Sequence, residues 1–159
     1  MTEESFTRAA ERYADTVFRV AYSQTRSHAD ADDVTQDVLL QLLQTDRGFE
    51  SDEHLRRWLI RVTVNRCRML FRAPWRKTES IEDYAETLGF EAPEYTDLFT
   101  AVMRLDKKYR AAVYLYYYEG YTAPEIAGLL GVSANTVSTR LRRAREKLRK
   151  DLTEVEDHD

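Results

Sequence analysis

The chain has 159 residues, 28 of them acidic and 24 basic, for a net charge of −4, and a single cysteine. That length holds one domain or two small ones, and the lone Cys67 excludes both a disulfide framework and a cysteine metal cluster. No apolar run approaches the length of a membrane span, and the opening residues lack a signal-peptide core. A soluble, cytoplasmic protein with no direct membrane insertion is therefore expected.

Apolar residues at helical spacing make Phe6 to Gln24 an amphipathic helix, with Tyr13, Val17, Val20 and Ala21 on its inner face. After a break near Ser27, Asp30 to Gln44 opens with carboxylates, which suit the positive end of a helix dipole, and runs into aliphatics. A loop from Thr45 to Asp52 follows. A long third helix is expected from Glu53 to Arg72, ended by Pro74, with Leu55, Leu59 and Val62 as its apolar stripe.

The charges are unevenly placed. From Arg56 to Thr78 there are eight basic residues and no acidic one; from Ser133 to Lys150 there are seven basic residues and only Glu146 is acidic. Two basic segments in an otherwise acidic chain read as two phosphate-binding surfaces. In the first, Arg57, Arg61, Asn65, Arg68 and Arg72 recur at spacings of 4, 4, 3 and 4 and share one helix face. Guanidinium groups bind phosphates, while the amide both donates to and accepts from a base edge. Trp58 and Trp75 offer rings for stacking on an unpaired base; the competing reading is a solvated face with Trp58 in the core.

Residues 78–103 contain seven acidic residues and no basic one, so 74–97 reads as an acidic linker with at most one short helix. Two more helices are expected from Leu98 to Leu105 and from Lys107 to Glu119, stopped by Gly120. Six tyrosines (109, 114, 116, 117, 118 and 121) crowd this region. Filling the core of a small domain is one use for them, and a base-stacking platform is the other.

Thr122 and Glu125 then form a capping-box pattern, with Pro124 in the first turn, and Ile126, Leu129 and Leu130 make a buried stripe. Gly131 sits where a helix end takes a left-handed residue, and Ser133 caps the next helix. There Val137, Leu141, Ala144 and Leu148 form the apolar face. The opposite face carries Asn135, Thr139, Arg142 and Glu146, flanked by Ser138, Arg143 and Arg149. Helix, tight turn and arginine-rich helix make a helix-turn-helix. No strand alternation or internal repeat appears. The expected fold is all-α: a helical domain at 1–73, the linker at 74–97, a helix-turn-helix domain at 98–152 and an acidic tail at 153–159.

In this order the segments resemble the bacterial RNA polymerase sigma factors of the small, two-domain extracytoplasmic-function (ECF) group of the sigma-70 family. The resemblance rests on Asp30-Ala-Asp-Asp-Val-Thr-Gln-Asp37, on Phe49 with Trp58 nine residues later, on Arg61-Val-Thr-Val-Asn65, and on Glu119-Gly-Tyr-Thr through Arg145. It implies a factor that binds core RNA polymerase, the first domain melting the −10 element and the second reading the −35 element. Asp33, Gln36, Asp37 and Leu40, which share a face, would dock on the β′ coiled coil, with the β subunit as a further partner. The Thr45–Asp52 loop and Asn65 would hold a flipped base, with Arg61, Arg68 and Arg72 on its backbone. Ser138, Thr139, Arg142 and Arg143 would meet the −35 DNA, supported by Arg140 and Arg145. The resemblance also implies an anti-sigma partner, no cofactor, no metal, no small-molecule substrate and no catalysis. The chain differs from the family at Glu50 and Ser51, at Ser138, and at Asp106 after Leu105.

Two other functions fit part of the pattern. The aspartates at 30, 32, 33 and 37 resemble acid or magnesium motifs of helical enzymes, but the chain is too short for such an enzyme's cavity. A stand-alone helix-turn-helix regulator needs only the C-terminal segment, and leaves the faces around Asp33 and Asn65 without a use.

Overall fold

The computed structural model describes residues 1–72 and 98–158, with side chains described at 1–72 and 100–152. The expected linker at 74–97, with the short helix allowed for in it, and Trp75 lie outside the described residues. Every regular element among the described residues is helical. Contacts divide the chain into two compact units, Met1–Thr78 and Glu79–Asp159.

The first unit is built on three helices, α1 (Glu3–Thr25), α2 (His28–Gln44) and α3 (Asp52–Phe71), each packed on the other two. Each begins where a hydroxyl meets an orphan backbone N–H: Thr2 accepts from Ser5, Ser27 from Asp30, and Ser51 from His54. α1 ends at Arg26, which takes the left-handed conformation (φ 52°) and donates its N–H to the Tyr22 carbonyl. The core joins Val17, Val20 and Ala21 of α1, Val34, Val38 and Leu42 of α2, and Leu59, Ile60, Val64 and Cys67 of α3. Each fully buried Val or Leu among them contributes roughly 1.5–3 kcal/mol. The stripe expected on α3 needs correcting. Leu55 and Leu59 are buried as expected, but Val62 is only half-buried while Ile60, Thr63, Val64 and Cys67 are inside. The arc facing α1 and α2 is centred beyond that stripe and leaves Val62 at its edge.

The second unit comprises α4 (Leu98–Arg104), α5 (Lys107–Val113), a π-helical turn (Tyr114–Tyr118), α6 (Ala123–Leu130) and α7 (Ala134–His158). Arg110 is buried and donates to the Leu105 carbonyl at 2.6 Å, tying α5 back to the turn after α4. α6 carries the full capping box: the Thr122 hydroxyl accepts from the Glu125 N–H, and the Glu125 carboxylate from the Thr122 N–H. Gly131 closes α6 at φ 70°, and Ser133 accepts from the Thr136 N–H to open α7. Val137, Leu141, Ala144 and Leu148 are all buried, as their spacing predicts. Beyond Leu152 the segment expected as a tail outside the fold instead continues α7 to His158, since no glycine or proline follows Gly131 to stop it.

Candidate nucleic-acid interfaces

On α3, Arg57, Arg61, Asn65, Arg68 and Arg72 are all exposed, so the expected face exists as one continuous surface. Arg57 spends part of its charge on Glu53, four residues earlier, with Nε 3.1 Å from Oε1. Trp58 is half-buried and meets Phe49 edge to face, with centroids 5.4 Å apart; Phe49 also meets His54 at 5.4 Å. Trp58 is therefore neither a core residue nor a free ring: it clamps the loop before α3. That loop is anchored elsewhere too. Tyr13 donates to the Asp52 carbonyl, Arg12 pairs with the Asp52 carboxylate at 2.9 Å, and His54 accepts from the Glu50 N–H at 3.0 Å. Glu50 and Ser51, where the chain departs from the sigma pattern, thus have local work in starting α3.

On α2, Asp33, Gln36, Asp37 and Leu40 are exposed together. Leu40 is 52% exposed and Leu43, one turn on, 42%, so the acidic face continues into an apolar one. Among the described residues no three His, Cys, Asp or Glu side chains gather to hold a metal. The α2 aspartates are spread along a helix surface, with Asp32 beside His28 and Asp37 paired with Arg66 of α3.

On α7, Asn135, Ser138, Arg142, Arg143 and Arg145 are exposed, and Thr139 and Arg140 are half-buried. Asn135, Thr139, Arg140 and Arg143 form one wall of a groove of about 380 Å³, and Lys108 and Tyr109 of α5 form the other. Lys147 lies over the Tyr109 ring at 4.8 Å and Lys108 at 5.2 Å. Arg145 turns away from this groove and donates to the Tyr117 hydroxyl at 3.3 Å, a bond that raises its pKa.

The tyrosines divide rather than serving one purpose. Tyr109 and Tyr121 are buried, whereas Tyr116, Tyr117 and Tyr118 are exposed. Tyr118 stacks on Tyr114, Tyr116 meets Tyr117 edge to face, and Tyr114 donates to Glu119 at 2.7 Å. Consecutive residues on a helix point about 100° apart, so three in a row cannot all face inward.

The family models for Sigma-70 region 2 and Sigma-70 region 4 match residues 9–77 and 95–148. The ECF RNA polymerase sigma factor SigM of Mycobacterium tuberculosis is 35% identical over 152 residues, covering 88% of this chain and 78% of SigM. The chain belongs to the ECF sigma factors. The RNA polymerase sigma factor SigV of Bacillus subtilis is 30% identical, over 86% of this chain and 84% of SigV. The fold matches sigma factor RpoE, solved with the anti-sigma factor NepR from Bartonella quintana. That match has a TM-score of 0.71 and 20% identity, over 94% of this chain and 98% of RpoE. CnrH, solved with the cytosolic domain of CnrY, matches with a TM-score of 0.65 and 27% identity, over 99% of this chain and 91% of CnrH.

As an ECF sigma factor the protein binds core RNA polymerase and directs promoter recognition; matches to both regions, with a relative aligned over 88% of the chain, rule out a stand-alone regulator. No helix among the described residues is long and apolar enough to cross a membrane. Sequence reasoning missed four side chains on or beside these surfaces: Leu43, Arg66, Met69 and Lys108. Met69 is 58% exposed on the arginine face, four residues after Asn65. Its spacing from Asn65 and Arg72 was the available signal.

Proposed function

We propose that unit 1 docks on the polymerase β′ coiled coil through Asp33, Gln36, Asp37 and Leu40. It opens the −10 element with the loop before α3, Asn65 and the arginines at 57, 61, 68 and 72. Trp58 supports the loop through Phe49. The observation that carries this reading is the exposure of both sets on adjacent helices, α2 and α3, of one packed unit. One set is acidic and apolar, the other cationic with an amide, so each suits a different partner.

Unit 2 reads the −35 element with Asn135, Ser138, Thr139 and Arg142, while Arg140 and Arg143 hold phosphate, and the β subunit is a further contact. Arg145 acts indirectly, bracing α7 against Tyr117. Joining two weak DNA contacts through one polymerase raises their combined affinity by effective concentration. The protein catalyses no reaction and works in the cytoplasm. An anti-sigma factor, as NepR is in the complex with the structural relative RpoE, holds it inactive.

The test is reconstitution with bacterial core polymerase on a promoter library. Stoichiometric binding with new start sites is expected, and Asp33→Ala with Asp37→Ala should remove both. Start sites that survive this double substitution would overturn the docking assignment.

A further inference from the structure

Arg66 belongs to neither surface assigned above. It follows Asn65 by one residue, so it leaves α3 about 100° around from the base-reading side. It crosses instead to α2, where its Nη2 donates to Oδ2 of Asp37, 29 residues away in sequence. Both side chains are partly exposed, 38% for Arg66 and 47% for Asp37. An exposed pair of this kind adds little to stability and is screened by salt. Its effect is geometric: it fixes one carboxylate before any partner arrives.

We infer that Arg66 is a positioning residue for polymerase docking, holding Asp37 by one oxygen so that the other accepts from a cationic side chain of the polymerase. This rests on the docking role proposed for Asp37. An ionised carboxylate has room for several donors, and the Arg66 bond uses Oδ2 alone. The pairing does not erase the attraction for a cation, because Asp30, Asp32 and Asp33 keep the N-terminal half of α2 negative. A carboxylate already locked in its rotamer loses less freedom on binding than a mobile one. The bond also links the helix that carries Asn65 to the docking face, so both are held in one register within unit 1.

The experiment titrates the full chain against core polymerase for wild type, Arg66→Gln, Arg66→Lys, Asp37→Asn and the double variant, with thermal unfolding of each. Arg66→Gln should weaken binding about two- to fivefold, the scale of one exposed ion pair. Arg66→Lys should restore most of the loss, and Arg66→Gln should add nothing once Asp37→Asn is in place. Unchanged or tighter binding by Arg66→Gln would overturn the inference, as would an equal loss in the Asp37→Asn background, which marks a general structural role. If Asp37→Asn itself binds like wild type, the docking role of Asp37 falls first and the inference with it.

Discussion

Phe49 stands edge-on to Trp58, with ring centroids 5.4 Å apart and planes at 64°. The contact joins the loop before α3 to the second turn of that helix, so the loop's shape depends on a ring within the arginine-bearing segment. Phe49→Ala removes a pair worth about 0.5–1.5 kcal/mol beyond its buried area. Polymerase affinity should be unchanged while opening of the −10 element falls. Permanganate reactivity of unpaired promoter thymines reads the opening directly; wild-type reactivity in the variant would mean the clamp has no part in it.

Two glycines at the end of α6 give substitutions of opposite sign. Gly131 has φ 70°, where a Cβ is strained, so Gly131→Ala should destabilise unit 2 by about 1–2 kcal/mol. Gly128 lies exposed within α6, and a Cβ there meets nothing within 4 Å. Gly128→Ala should stabilise by about 0.5–1 kcal/mol. Denaturant melts of the two variants should move to either side of wild type.

Arg142 and Arg143 are adjacent and both exposed, and the roles proposed for them, base contact and phosphate contact, predict different losses. Arg142→Ala should cost about 1–3 kcal/mol on the matching −35 sequence and little on others, as for a base contact. Arg143→Ala should weaken all sequences alike and lower the salt dependence by about one counterion. Holoenzyme binding to matched and scrambled −35 elements, at several salt concentrations, separates the two.

Burial raises the pKa of the Tyr13 phenol above its ordinary 10.0. The neutral phenol is thus favoured in the folded state. Its contribution is fully present below pH 10 and is lost as pH rises through the folded value. Tyr13→Phe should lose the hydrogen bond to the Asp52 carbonyl yet show a shallower decline in stability above pH 10. Equal slopes for both proteins would mean that Tyr13 contributes nothing to alkaline unfolding.

Local chemistry was legible in the sequence and tertiary context was not. Thr122, Glu125, Gly131 and Ser133 act on residues three or four positions away, so each could be read without the fold. The arginine face of α3 needed only helical spacing. Tyr116, Tyr117 and Tyr118 lie in a π turn, where the Glu119 N–H reaches back to Tyr114, and no run of residue types announces that turn or which tyrosines it leaves exposed. Arg66 likewise looks like one more cation in a basic helix until α2 and α3 pack and bring Asp37 to it. Val62 fails for the same reason: which arc of a helix faces its neighbours is set by the whole unit.

α7 runs unbroken from Ala134 to His158, about 37 Å at 1.5 Å per residue. In mechanical terms it is a lever with a rigid shaft. Arg145 fastens the shaft to the tyrosine turn at mid-length through Tyr117, and Asn135 and Arg142, proposed above as −35 contacts, lie on its N-terminal side. Because Val137, Leu141, Ala144 and Leu148 of the same helix are buried, a load applied near Lys150 reaches Asn135 and Arg142 through a stiff, packed shaft. If those residues read the −35 element, promoter fit is sensitive to whatever grips the far end of the helix.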